Sequence, residues 1–418
     1  MLNGHRSQKM ALFATQALCE GSAFLRNLLL ARLIGAEEMG LAVALALAIR
    51  LFEMAGEFGL DRLLMHVEDA ALSPMRRTVH LLQLLKGGLL SAVAMLLAVP
   101  VCRALNPGLD PALFAVAALA LAIRGASHCE FRERQRRGDY LPGLVVEGGS
   151  ALAAALLTAP LAWVLRDYTA LVWVLLLHAG AYCALSHMVA SSGYRPGFDR
   201  SLCSRCLRYG APIALNGALM FLALQGDRLV VALHFPAAQL AGFALAAQLT
   251  LLPALIGTRY VLATELPRFV RVSQEAGIGS HCLALLHRVG FASLAGVAVL
   301  GVGGNALVGL LYGEVYRVDP LVFWLLAAGA GIRLVRAVPS TAFMALERTH
   351  FLLLSNLPRL VTLPVAFWSA ASGGGLAAIV TIAVIGEALS LAVGLAALAV
   401  SGTGVVGRES ARLAEGLS

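Results

Sequence analysis

Apolar runs long enough to cross a bilayer follow one another along almost the whole chain, and this leaves few folds open. The last of them, residues 376–400, carries Glu387 as its only ionisable side chain. A spanning helix needs about 20 predominantly apolar residues, whereas a spanning barrel strand needs about 10 with alternating polarity. The runs here are of the first kind, so the chain reads as an all-α membrane protein. Of 418 residues, 59% are hydrophobic and only 13% charged, against about 25% charged in a soluble domain. The segmentation predicts about twelve transmembrane helices, at residues 11–33, 39–60, 79–104, 111–130, 141–165, 170–190, 208–233, 240–263, 283–311, 321–346, 351–371 and 376–400. Loops of at most about 20 residues leave no room for an extramembrane domain between spans. The first run holds Glu20, Arg26 and Asn27 and lacks the short apolar core and cleavage site of a signal peptide, so it reads as a retained span.

The net charge of +8 is carried almost wholly by arginine, Lys9 and Lys86 being the only lysines. In a soluble chain that balance would suggest nucleic acid. Here it follows from the positive charge that collects in cytoplasmic loops of membrane proteins, and no nucleic-acid partner is expected. With the N-terminus inside, the inner segments hold Arg6 and Lys9, then Arg62, Arg76 and Arg77, Arg132 to Arg137, Arg195 to Arg205, Arg268 and Arg271, Arg348, and Arg408 and Arg412. The outer segments hold mainly Arg32, Arg103, Arg166 and Arg317. The ratio, about 16 to about 4, places both termini in the cytoplasm.

The chain reads as internally duplicated. Residues 27–41 (NLLLARLIGAEEMGL) and 227–243 (DRLVVALHFPAAQLAGF) both end a span, turn through a short Ala-rich loop and restart at a glycine, Gly40 or Gly242. A second echo pairs Ile123-Arg124 with Ile332-Arg333. Six spans per half make parallel repeats related by an axis along the membrane normal. The expected organisation is an N-terminal six-helix lobe at 1–190, a cytoplasmic linker at 191–207, a C-terminal six-helix lobe at 208–400 and a cytoplasmic tail at 401–418, the two lobes flanking a central cavity.

Arginines buried in the spans say what such a cavity would hold. Arg26, Arg50 and Arg259 lie deep in spans 1, 2 and 8. An ionised side chain at the bilayer centre costs about 2.5–3.5 kcal/mol on insertion scales, so these side chains are expected to face a polar space. In span 1, Gln16, Glu20 and Asn27 share a helical stripe beside Arg26; in span 2, Arg50, Glu53 and Glu57 recur at i+3 and i+4, with Asp61 continuing the stripe. Asn216 and Asp227 in span 7, and Gln248 and Arg259 in span 8, are each about three turns apart. Span 10 carries Arg333 and Arg336 on one face, and span 4 ends with Arg124, Ser127 and His128. Arg50 can pair within its own helix, whereas Arg259 has no acid at i±3 or i±4, so its counter-charge comes from another helix or from a passenger. Glu20, Asn27, Glu53, Glu57, Asn216, Asp227, Gln248, Arg333 and Arg336 are candidates for coupling or for polar cavity lining.

No reactive constellation stands out. The ten histidines are scattered, and no HExxH, GxSxG or Walker A sequence occurs. Cys203 and Cys206 form a CxxC, read as lying in a loop, without the second pair that a zinc site needs. No cofactor, metal or catalytic residue is expected.

The segments LARLIGAEEMGL (30–41), FGLDRLL (58–64), RYGAPIALNGALMFLALQGDRLVV (208–231) and LAGFALAAQL (240–249) resemble the polysaccharide-transport branch of the multidrug/oligosaccharidyl-lipid/polysaccharide exporter superfamily. The resemblance covers most of the chain. It implies a flippase of the bacterial inner membrane, not an enzyme, that moves polyprenyl-diphosphate-linked precursors of O-antigen, capsule or exopolysaccharide by alternating access. Related lipid II flippases use cavity arginines in spans 1, 2 and 8, and Arg26, Arg50 and Arg259 occupy comparable places. The implied partners are the lipid-linked oligosaccharide, membrane lipid, and the glycosyltransferases and polymerase of the same route. Two alternatives stay open: a multidrug or cation-coupled exporter of the same superfamily, and a membrane-embedded enzyme of polyprenyl-glycan metabolism.

Overall fold

The computed structural model describes the backbone of residues 2–66, 69–272, 278–348 and 350–415, and the side chains of 11, 14–65, 72–271, 279–348 and 350–399. The side chains of Arg6 and Lys9, and those of the expected tail 401–418 with Arg408 and Arg412, lie outside these. Among the described residues there is no strand. Each expected span falls on a long helix: α1 Leu2–Ile34, α2 Ala36–Ala55, α3 Asp69–Leu96, α4 Pro111–Gly125, α5 Ser150–Leu165, α6 Thr169–Met188, α7 Arg200–His234, α8 Ala237–Val272, α9 Ile278–Tyr312, α10 Pro320–Ala345, α11 His350–Ala371 and α12 Leu376–Glu415. Ten helices among the described residues are long and apolar enough to cross a membrane, or 11 when α4 is joined to the short helix that follows it. The remaining one, α1, is 33 residues long, and its polar stripe of Gln16, Glu20, Arg26 and Asn27 lowers its hydropathy.

Elements begin and end where local chemistry requires. The turn between α1 and α2 passes through Gly35 at φ 81, a left-handed conformation that glycine adopts without steric cost. Helix α4 starts at Pro111 under an Asp110 cap that accepts from the Ala112 amide. Asp199 caps α7 in the same way. Its carboxylate accepts from the Ser201 hydroxyl and from the Leu202 and Ser201 amides, and these bonds hold it below its usual pKa. The expected unbroken span at 111–130 is broken: α4 stops at Gly125, and helix Glu130–Arg136 leaves at 52°. The amides freed by the break find side-chain acceptors, His128 N–H on Ser186 Oγ at 2.8 Å and Cys129 N–H on His80 Nε2 at 3.2 Å. Helix α5 is entered through a π-helical stretch, Leu144–Gly149. Cys203 and Cys206 sit in the first turns of α7 rather than in a loop. Cys206 packs on Met75, with 3.7 Å between the sulfurs, in an apolar cluster with Leu60, Leu64 and Val79.

The chain forms two compact units, Met1–Phe221 with Phe235–Ala241, and Leu222–His234 with Gly242–Ser418. In the first, α1 packs on α5, α3 on α4, and α6 on both α4 and α5. Helices α3 and α4 cross backbone to backbone: a β-carbon on Gly87 would lie 2.7 Å from the Leu121 carbonyl, and one on Gly125 2.6 Å from that of Gln83. In the second unit α9 packs on α10, α10 on α12 and α11 on α12. There Gly301 and Gly304 lie against the rings of Trp324 and Phe323, and Gly331 against Val297. These glycines serve close helix packing, whereas Gly296 and Gly303 face open space. Large apolar side chains point outward, among them Leu96, Phe291, Val302 and Trp368. An exposed apolar surface of that extent is a liability in water and a fit to lipid.

Candidate functional site

Each unit gathers several guanidinium groups around one carboxylate. In the first unit the carboxylate is Glu53 on α2. Arg50, one turn earlier, donates to it at 2.9 Å, and Arg124 at the end of α4 approaches to 3.7 Å. The Arg124 guanidinium also stands over the Tyr182 ring of α6, 4.7 Å from its centroid, a cation–π contact that suits a weakly hydrated guanidinium. Arg26 on α1 lies in the field of Glu53, and its Nε is buried without a hydrogen-bond partner. His178 lies in the fields of Arg124, Arg26 and Glu53. Arg50 keeps 57% of its side chain exposed, so the cluster is open on that side. Three arginines stand around Glu53, and Glu147 also lies in the field of Arg124, so among the described residues guanidinium groups outnumber carboxylates here.

Arg76 of α3, and Arg132 and Arg134 of the short helix after α4, are instead matched by carboxylates. Arg132 bridges Asp61 at 3.1 Å and Glu147 of the π-helical stretch at 2.5 Å. Arg76 pairs with Glu133 at 2.9 Å, and Arg134 with Asp139. Glu130 accepts from the amides of Ser191 and Ser192 and so ties down the segment that leads to α7. Tyr194 of that segment stacks on His80 at 4.5 Å, and burial pushes its phenol up to about 12.

In the second unit the carboxylate is Glu387 on α12, 5% exposed. Arg333 donates to it through Nε at 2.9 Å and Nη2 at 2.5 Å, and Arg336 through Nη1 at 2.8 Å, both from α10. Arg359 of α11 approaches through Nε at 3.0 Å. Arg336 also donates to Asn356 at 2.7 Å. A cavity of about 70 Å³ opens beside this cluster, with Asp227, Arg333, Arg359 and Glu387 in its lining.

Arg50 and Glu53 meet, with Arg26 in the same field, and Gln16 donates to Glu20 at 3.3 Å. Glu57 turns away to accept from the Gly59 amide at 3.2 Å. Arg333 and Arg336 meet on Glu387, and Asp227 lines the same cavity as Arg333. Asn27, Gln248 and Arg259 are half-buried, and Asn216 is exposed in the first unit. The candidate list omitted Arg124, Tyr182, Glu387 and Arg359. A signal for three of them was present: Arg124 in the Ile-Arg echo of Arg333, and Glu387 and Arg359 as charges isolated in apolar spans. Tyr182 carried none, because an aromatic residue in a span has many roles.

Residues 29–318 match the family described as polysaccharide biosynthesis protein. No curated protein sequence matches the chain. In structure the chain is similar to the lipid II flippase MurJ in an inward closed conformation, with TM-score 0.75 at 12% identity, covering 94% of this chain and 87% of that one. It is similar to an inward-facing multidrug resistance MATE family transporter of the MOP superfamily, with TM-score 0.70 at 15% identity over 94% and 96%. A MOP superfamily transporter from Pyrococcus furiosus, described as having a binding pocket of reverse polarity, gives TM-score 0.53 at 13% identity over 96% of each chain. At such identities the likeness is one of fold, that of a multi-pass membrane transporter. With 29–318 matched along the sequence, the chain belongs to the polysaccharide biosynthesis protein family.

Proposed function

We propose that this protein is a flippase that carries a polyprenyl-diphosphate-linked oligosaccharide across the bacterial inner membrane by alternating access, and that it is not an enzyme. Family membership supports a role in polysaccharide assembly, and the transporter fold supports movement across a membrane. The observation that carries the anionic passenger is the excess of guanidinium over carboxylate around Glu53. Unbalanced positive charge at bilayer depth is costly, and a diphosphate relieves it through charge-assisted, often bidentate hydrogen bonds. Moving the sugar through lipid unaided is blocked by desolvation of its hydroxyls.

In this reading Arg26 and Arg50 meet the diphosphate, and Arg259 is a further contact. Glu20, Asn27, Glu53, Glu57, Asn216, Asp227, Gln248, Arg333 and Arg336 serve coupling or polar lining. The lobes are residues 1–190 and 208–400, joined by the cytoplasmic segment 191–207, with both termini cytoplasmic. Glycosyltransferases supply the lipid-linked unit and a polymerase consumes it. A multidrug or cation exporter would call for a cavity dominated by acid, and arginine predominates around Glu53.

The test is surface polysaccharide in cells whose own copy is replaced by Arg26→Ala, Arg50→Ala or Arg259→Ala, with protein amounts checked by blotting. The proposal expects each variant to cut surface polysaccharide at least about ten-fold, which is about 1.4 kcal/mol of lost transition-state stabilisation. Normal polysaccharide from well-expressed Arg26→Ala and Arg50→Ala would refute the assignment of those two residues.

A further inference from the structure

The second unit holds a charge imbalance of its own beside a cavity. Glu387 is ringed by Arg333, Arg336 and Arg359. Arg228 lies in the fields of Arg333 and of its own neighbour Asp227, and Arg359 also feels Asp227. Four guanidinium groups thus stand against two carboxylates. Glu387 accepts two N–H groups from Arg333 on Oε1 and one from Arg336 on Oε2, and Arg359 stands 3.0 Å from Oε1 as an ion pair. Each guanidinium is permanently protonated, so the single negative charge of Glu387 does not balance the arginines around it.

The cavity lies where that excess is felt. Its walls include Arg333, Arg359, Asp227, Thr250, Thr362 and Ala366. Both hydroxyls in this wall are committed as donors to their own helices, Thr250 to the Ala246 and Ala247 carbonyls and Thr362 to that of Arg359. The donors that remain for an occupant are guanidinium groups. The size of the space decides what fits. At roughly 10–15 Å³ per water, about 70 Å³ takes about five to seven waters, which is room enough for a phosphoryl oxyanion. A guanidinium fork matches the paired oxygens of a phosphoryl group better than it matches a spherical ion.

We infer that this cavity is a binding site for a single phosphoryl oxyanion, with Arg333 and Arg359 as its donors and Glu387 as the resident counter-ion that holds the arginines in place. Asp227, on the same wall, limits the negative charge that the site accepts. The phosphoryl group comes either from inorganic phosphate or from one phosphate of a lipid-linked diphosphate. Only the second source rests on the flippase reading.

The experiment uses the full chain purified in detergent and reads equilibrium binding of radiolabelled inorganic phosphate together with thermal unfolding. Wild type is expected to bind phosphate and to unfold at a higher temperature in its presence. Arg359→Ala is expected to weaken binding at least ten-fold. Ala366→Leu, which fills the space and leaves every charge in place, is expected to do the same. Glu387→Gln is expected to bind phosphate more tightly than wild type, and phosphate is expected to raise its unfolding temperature by more. Absence of binding by wild type at millimolar phosphate overturns the inference. So does a folded Ala366→Leu chain that binds like wild type, or displacement of phosphate by equimolar chloride. If Ala366→Leu does not fold, Glu387→Gln decides, and binding no tighter than wild type overturns the inference. A short-chain polyprenyl diphosphate that competes with the label assigns the site to the lipid-linked source, and failure to compete assigns it to free phosphate. Transport in vesicles tests the flippase reading separately and does not report on occupancy of this cavity.

Discussion

Glu387 and Glu53 show how burial changes the worth of the same pairing. Glu387 is 5% exposed, and three arginines converge on it at 2.5 to 3.0 Å. Removing one partner of a buried ion pair leaves uncompensated charge and costs about 3–5 kcal/mol. Glu387→Ala is therefore expected to lower stability by about 3–5 kcal/mol, measured by unfolding of the purified chain in phosphate-free detergent buffer. The Arg50–Glu53 pair has the ordinary i, i+3 geometry with Arg50 57% exposed, and pairs of that kind contribute about 0–1 kcal/mol. Arg50→Ala is expected to change stability by less than about 1 kcal/mol. Arg50 was legible in the sequence because its partner lies one turn away on the same helix. The Glu387 cluster was not, since its members are 51 and 54 residues apart, and only the packing of α10, α11 and α12 brings them together. Isolated charges in apolar spans mark where such partners are needed without saying which ones meet.

Among the elements, the close crossing of α3 and α4 rests on glycines facing backbone. Gly87 has the Leu121 carbonyl and Gly125 in the place of a β-carbon, while its neighbour Gly88 has nothing within 4 Å. Overpacking typically costs about 1–3 kcal/mol, and more where backbone must move. Gly87→Leu is expected to lower stability by at least about 2 kcal/mol. Gly88→Ala is expected to be neutral or to add up to about 1 kcal/mol through helix propensity. Thermal unfolding of the two variants side by side checks this contrast, and equal destabilisation would contradict the crossing described. The place of each helix was readable from hydropathy, because lipid leaves the backbone no other way to satisfy its hydrogen bonds. The ends were not: α3 begins at Asp69 rather than at 79, and α12 runs to Glu415 rather than to 400. Nor were the breaks. The interruption after Gly125 depends on Ser186 and His80, which lie 58 and 49 residues from the amides they accept, and a pattern of apolar residues carries no record of such partners.

For the molecule as a whole, a multi-pass transporter fold and membership of a polysaccharide family constrain each other. The fold is shared with transporters of unlike passengers, including a multidrug transporter and a lipid II flippase, so it does not choose a substrate. The proposed anionic passenger rests instead on the excess of guanidinium around Glu53, which favours an anion. The most direct measurement is transport in vesicles holding the purified full chain and a fluorescent polyprenyl-diphosphate oligosaccharide, with a membrane-impermeant reagent reporting the labelled leaflet. The flippase account predicts that wild-type protein moves the label across and that Arg26→Ala with Arg50→Ala slows it at least about ten-fold, or about 1.4 kcal/mol. A label that stays on its starting leaflet while the same vesicles export a cationic drug would contradict the account.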